Sequence, residues 1–274
     1  MMFTATLGPL IAPTLERRFP PSARHGTIYP APKHSEGAEG ATKGGLVTAF
    51  SKFYTDNVLF PLIVSVLPWE ASPPAFIEDR AKLLGRPINL EQFAEGRPSS
   101  ISLFSSHLLL LEEQLSDSRE WLSDTKALSL TDISVHFLLA WGRRMPTVAS
   151  LFDESRFPLT IAWLDRVSAA ITALKATQTP PSKLSGETAA RKIVSAPHEP
   201  YDVVGFDTIE ATRLGVGLGD TVQVAPDDYG KDYPTNGKLV ALSRSELTLE
   251  VQGSEGLLRC HFPRLGYVVK RASV

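Results

Sequence analysis

The hydrophobic period of this chain changes once, near residue 180, and that change limits what it can fold into. Before it, apolar residues recur at steps of three and four, the spacing of one helix face; after it they alternate with polar residues, the spacing of a half-buried strand. Leu46, Phe50, Phe53, Phe60, Val64 and Leu67 form one broad stripe, with Pro61 placed to kink it. Ser72 and Pro73 open a second helix that Gly85 can close. A third, over 101–117, sets Ile101, Phe104, Leu108, Leu111 and Leu115 on one side. A fourth starts at Ser129 and is expected to turn Ile133, Phe137, Ala140 and Trp141 inward; a fifth starts at Pro158 and buries Ile161, Leu164, Val167, Ile171 and Leu174. Beyond Pro180-Pro181-Ser182 the pattern predicts a short helix over 187–194. Strands then follow over 221–225, 238–242, 247–251, 257–262 and 267–270, with Asn236-Gly237 and 253–256 as turns. The expected class is α+β and multidomain: an all-α bundle followed by a small antiparallel β barrel or roll.

Composition narrows the partners. The 274 residues carry a net charge of −2 with 43% hydrophobic and 21% charged side chains, an ordinary globular balance. No basic excess favours nucleic acid or an anionic membrane. The longest apolar run, over 58–69, contains Pro61 and is too short to cross a bilayer, and the N-terminus lacks the basic start of a secretory signal, so a cytoplasmic chain is expected. Cys260 is the one cysteine, which rules out an internal disulfide and a cysteine-based metal site. Residues 31–45 hold no large apolar side chain and read as a linker; 181–199 read as a second linker or short helix.

Several polar groups invite chemistry and have a plainer reading beside it. His136 falls next to the core face of its helix, where a satisfied half-buried histidine is the ordinary outcome. Arg143 and Arg144 complement a helix end. The run Gly215-Val216-Gly217-Leu218-Gly219-Asp220 is followed by a strand, whereas a dinucleotide fingerprint needs a helix there. Asp227, Asp228 and Asp232 lack the alternating ligands and distal Glu of a calcium loop, and no metal site is expected. Their loop also carries Tyr229 and Tyr233, so Asp227, Asp228, Tyr229 and Tyr233 are the candidates for contact with a partner. Cys260 and His261 are adjacent on a strand and point to opposite faces, so they form no local pair. His25 and His198 fall in loops.

Ser129-Leu130-Thr131-Asp132-Ile133 has the arrangement of a capping box: Ser129 accepts from the backbone near Asp132, Asp132 reaches back to Ser129, and Leu128 staples onto Ile133. Preceded by Trp121-Leu122, it resembles the segment that opens the core helix of glutathione transferases. Phe157-Pro158 with Ala162-Trp163-Leu164-Asp165-Arg166 resembles a later helix of the same domain. Gly85-Arg86-Pro87 agrees, and Leu15-Glu16-Arg17-Arg18-Phe19-Pro20 with Ile28-Tyr29-Pro30 looks like the last helix and exit of the family's thioredoxin-like domain. The matches span roughly residues 7–175 and look fungal in type. The resemblance implies this order: 1–30 a remnant of the thioredoxin-like domain, 31–45 a linker, 46–180 the helical C-terminal domain, 181–199 a linker, and 200–274 an added β domain. It also implies that Tyr54 and Asn57, on the first helix after the linker, line the acceptor-substrate pocket, with His136 a further pocket candidate.

The departure from the family matters more. Glutathione is held there by a Tyr, Ser or Cys near the N-terminus, a cis-proline loop and an acidic-Ser pair; the stretch before Leu15 contains no such acidic-Ser pair and leaves no room for the four strands the fold requires. The expected function is therefore a glutathione-transferase-fold protein without its own glutathione site, a binding or interaction module with no cofactor of its own. The alternative is a transferase conjugating glutathione to an electrophile, its first domain absent from this chain or supplied by another. A homodimer or protein partner and a hydrophobic small molecule are the expected associates.

Overall fold

The structure, a computed structural model, describes residues 10–35 and 44–272. The first nine residues of the expected thioredoxin-like remnant and 36–43 of the expected linker lie outside the described residues. Two compact units form, one from residues up to 73 together with 89–179, the other from 74–88 together with 180 onward. The segment 74–88, which sequence order assigns to the bundle, thus belongs to the second unit.

The first unit begins with α1 (Ile11–Arg18). Glu16 fixes the chain after it, accepting from the Ile28 backbone N–H and the Thr27 hydroxyl, both at 2.8 Å. Residues 28–33 then lie along 124–130 through backbone hydrogen bonds Lys33 to Asp124, Lys126 to Ala31 and Leu130 to Ile28. The next helical stretch is continuous but not uniform: α2 (Gly45–Ala49) widens into a π-helix (Phe50–Leu59) and narrows again in α3 (Phe60–Ser65). Pro61 supplies the reason, since a proline ring clashes with the carbonyl four residues earlier and a wider preceding turn relieves the clash. The widened turn rotates the face, so Leu46 and Phe53, expected inside, are 88% and 48% exposed, while Leu59, Leu62 and Ile63 are buried.

The helix expected over 101–117 starts eleven residues earlier than its periodicity, as α5 (Leu90–Gln114), capped by the Asn89 side chain on the Gln92 N–H and running through Pro98. Arg97 pins this extra length from the side with a bidentate pair to Glu70 and a bond to the Leu67 carbonyl. Then come α6 (Leu130–Gly142) and α7 (Pro158–Ala176). On α6 the buried set is Leu130, Thr131, Asp132, Val135, Leu138, Leu139 and Gly142, whereas Phe137, expected inside, is 47% exposed. Its sequence is apolar nearly all round, so period alone does not choose a face. Close packing does: a Cβ on Gly142 would lie 3.1 Å from Ile63 and 3.3 Å from Phe104. Leu174, near the end of α7, is likewise exposed. The core is built around Trp163, Phe104, Leu108, Leu138 and Leu164.

Two carboxylates tie these helices together. Asp132 reciprocates the Ser129 cap and also accepts from the Leu122 N–H at 2.9 Å and the Trp163 indole at 3.0 Å. Glu112 of α5 accepts from the Leu159 and Thr160 N–H groups and the Thr160 hydroxyl, so it caps α7 from a neighbouring helix.

The second unit holds α4 (Pro74–Leu84), α8 (Gly186–Ser195), α9 (Thr208–Leu214) and five strands: β1 (Thr221–Pro226), β2 (Thr235–Leu242), β3 (Glu246–Gln252), β4 (Leu257–Pro263) and β5 (Tyr267–Arg271). They form one antiparallel sheet in the order β4-β3-β2-β1-β5. The sheet is open, with β4 and β5 at its edges, rather than the expected barrel. One face packs Val222, Val224, Leu239, Leu242, Leu247, Leu249 and Val269 against Ala211 and Val216. A register shift between Leu239 and Ala241 breaks strict alternation and lets Leu242 face inward as well. α9, which periodicity does not reveal in so short a piece, is capped by Asp207 on the Ile209 and Glu210 N–H groups and ends at Gly215 with φ +67. Asn236-Gly237, expected as a turn, instead lies inside β2. A Cβ on Gly237 would meet the Glu250 carbonyl at 2.7 Å, so the glycine serves a close strand approach and not a bend.

Candidate functional site

A cavity of about 560 Å³ lies within the first unit, where helix ends and connecting segments meet. Leu46 and Val47 of α2 and Phe50 and Tyr54 of the π-helix form one wall; Leu110, Leu111 and Gln114, from the last turns of α5, form another. Leu122, Ser123 and Thr125 come from the loop before α6, Ser129 and Thr131 from its start, and Tyr29, Pro30 and Pro32 from the extended segment that crosses 124–130. Helices cannot close-pack where they end, because their last carbonyls and first N–H groups require polar partners.

The lining is mainly apolar and its polar groups are largely committed. Gln114 donates to the Leu122 carbonyl at 3.0 Å, Ser123 to the Thr131 hydroxyl at 2.9 Å, Thr125 to the Ala127 carbonyl at 2.8 Å, and Ser129 to Asp132 at 2.6 Å. Among the described residues Arg119 is the one charged residue on the wall. Its guanidinium is bidentate to Asp117, at 2.9 and 2.6 Å, and gives a third donor to the Leu122 carbonyl. Those hydrogen bonds hold the Asp117 carboxyl down to about 2, so the pair stays ionised and self-compensated at neutral pH.

Two phenols complete the lining. Tyr54 packs its ring 4.7 Å from Phe50, and its hydroxyl meets His107 Nδ1 at 3.1 Å. Burial pushes the Tyr54 phenol up to about 12 and pulls the His107 imidazole below the usual histidine value, so the two face each other uncharged. The Tyr29 hydroxyl is buried and makes no hydrogen bond. Burial raises the Tyr29 phenol; the Thr48 side chain, near but outside hydrogen-bonding geometry, counters part of that rise, and Glu16 adds to it.

Of the residues singled out by sequence, Tyr54 lines this cavity, whereas Asn57 sits exposed on the π-helix and His136 bonds the Ser168 hydroxyl at 2.7 Å between α6 and α7. Burial, and then Arg144, lowers the His136 imidazole. Arg143 pairs with Asp165. His107 and Tyr29 were not named as site candidates; His107 lies one step from the buried Leu108 on α5, and Tyr29 lies in the irregular segment after α1. In the second unit, Asp227 and Asp228 are exposed, as is Tyr233, while Tyr229 is half-buried and the Gly230 N–H bonds the Leu83 carbonyl of α4 at 2.9 Å. The Tyr229–Tyr233 loop is therefore anchored at one end by its own unit. His261 meets the buried Glu246 at 2.5 Å across β3 and β4. Among the described residues no cluster of His, Cys, Asp or Glu is placed to hold a metal, and no helix is long and apolar enough to cross a membrane.

Residues 60–176 match the family model described as "Domain of unknown function (DUF7962)". No curated protein matches the chain. Among solved structures, a GST-like protein from Pseudomonas syringae aligns over 95% of this chain and 75% of that one, at 25% identity and a TM-score of 0.59.

Proposed function

We propose, from the GST-like fold that this likeness gives the chain, that it is a binding module whose helical unit holds an uncharged, mainly apolar small molecule and which has no glutathione site of its own. The observation that carries the reading is the electrostatics of the cavity: among the described residues its wall is mainly apolar, and the one cation there, Arg119, is already paired with Asp117. Glutathione has two carboxylates and an ammonium at neutral pH, and burying them without partners is costly. An apolar ligand needs only the area that Leu46, Val47, Phe50, Leu110 and Leu122 offer. The exposed Leu103 and Leu109 on α5 favour self-association as a second property of this unit.

Titration with the neutral dye Nile red tests the reading. Saturable binding is expected, weakened about tenfold or more by Leu110→Glu, which puts a charge on the wall at a position exposed enough to leave folding intact. Retention on immobilised glutathione that free glutathione reverses, or no saturable dye binding, would refute it.

A further inference from the structure

Which uncharged molecule the cavity selects depends on the hydrogen bonds its wall has left to give. Gln114, Ser123, Thr125 and Ser129 each direct a donor to an acceptor within the chain. The Thr131 hydroxyl accepts from Ser123, and the two phenols differ from all of these. Tyr29 buries its O–H without a hydrogen bond, the Thr48 side chain lying near it but out of geometry, and an unsatisfied buried donor costs on the order of 1–3 kcal/mol. Tyr54 has a single recorded partner, a neutral imidazole nitrogen that can serve it in either sense. When His107 carries its proton on Nδ1, it donates to the phenol oxygen and the Tyr54 proton is free for a ligand. When the proton is on Nε2, Tyr54 donates to Nδ1 instead.

We infer that the cavity selects uncharged apolar molecules bearing a hydrogen-bond acceptor, above all a carbonyl oxygen, and that the hydroxyls of Tyr29 and Tyr54 read it. The inference rests on the apolar-ligand reading above and sharpens it to a ligand class. A carbonyl relieves the Tyr29 donor, and it selects the His107 tautomer that turns the Tyr54 proton outward. A hydroxylated or amine ligand gains less, because a donor does not supply the acceptor that the Tyr29 hydroxyl lacks. A carboxylate is disfavoured, since among the described residues no unpaired cation lines the cavity to receive it. Both phenols keep their protons at neutral pH, so the donors are present wherever the protein is folded.

The test compares two uncharged ligands of nearly equal shape, 2-acetylnaphthalene and 2-isopropylnaphthalene, by calorimetry on the full chain. The ketone is expected to bind roughly three- to tenfold more tightly, the range of one net hydrogen bond. The preference should shrink in Tyr54→Phe, in Tyr29→Phe, or in both. Equal affinity of the two ligands for the unmodified protein overturns the inference while leaving the apolar-cavity reading standing, and so does a preference that survives the double Phe variant. Binding of neither ligand overturns both. Thermal melting gives an independent check: Tyr29→Phe removes an unpaired buried hydroxyl, so the melting temperature should hold or rise. A marked fall would mean that the hydroxyl has a partner inside the protein, and its part in ligand reading would be lost.

Discussion

The helical unit and the sheet unit bury their acidic side chains in different ways. Asp132 stands at a helix start and gathers donors from its own cap, from Leu122 ten residues back and from Trp163 on another helix. Glu246 stands at the start of β3 and meets His261, whose place on β4 is set by the Thr248 to His261 register. A helix leaves its terminal backbone groups for side chains to satisfy, so polar residues converge from distant positions and pack imperfectly around them. A sheet satisfies its backbone in the ladder, and a polar residue finds its neighbour by strand register. The cavity follows from the first arrangement: it lies between the end of α5, the start of α6 and the loop joining them.

This contrast predicts that damage stays local to each unit. Asp132→Ala should have the largest effect, costing on the order of 4 kcal/mol, because it strands the Leu122 and Trp163 donors in the core together with the cap. Hydrogen exchange should accelerate across α6 and α7 and hardly change in β2 and β3. Gly237→Ala should do the reverse at about 1–3 kcal/mol, since its new Cβ is driven toward the Glu250 carbonyl. Equal loss of protection in both units from either substitution would break the comparison.

The smallest effect concerns acid. Burial lowers the His107 imidazole below its ordinary value of 6.5, so the unfolded chain takes up that proton at a higher pH than the folded one. The histidine costs nothing above 6.5; its penalty grows as the pH falls below that value and is complete once the pH has passed the lowered folded value. Melting temperatures measured from pH 7 to 5 should therefore fall less steeply in His107→Gln than in the unmodified chain. Parallel slopes would show that the imidazole is free to protonate, and the uncharged Tyr54–His107 pair would go with it.

The elements were largely legible in the sequence because their causes are local. The Ser129–Asp132 spacing suffices for a capping box, Gly85 sits at positive φ, and the alternation of Leu247, Leu249 and Val251 reports a strand, although packing also buries Glu246 and Thr248 on its other face. What lies beyond the reach of local spacing was decided by tertiary packing. The rotation of α6, the placing of Gly237 inside a strand, and the open edges of the sheet all depend on neighbours that are remote in the chain. The same holds for the cavity. The family resemblance pointed to Tyr54, but its partner His107 lies 53 residues away and Tyr29 reaches the same wall from before the linker. Period and capping act over one or two turns of chain, whereas a binding site is assembled from segments that only the folded core brings within hydrogen-bond distance.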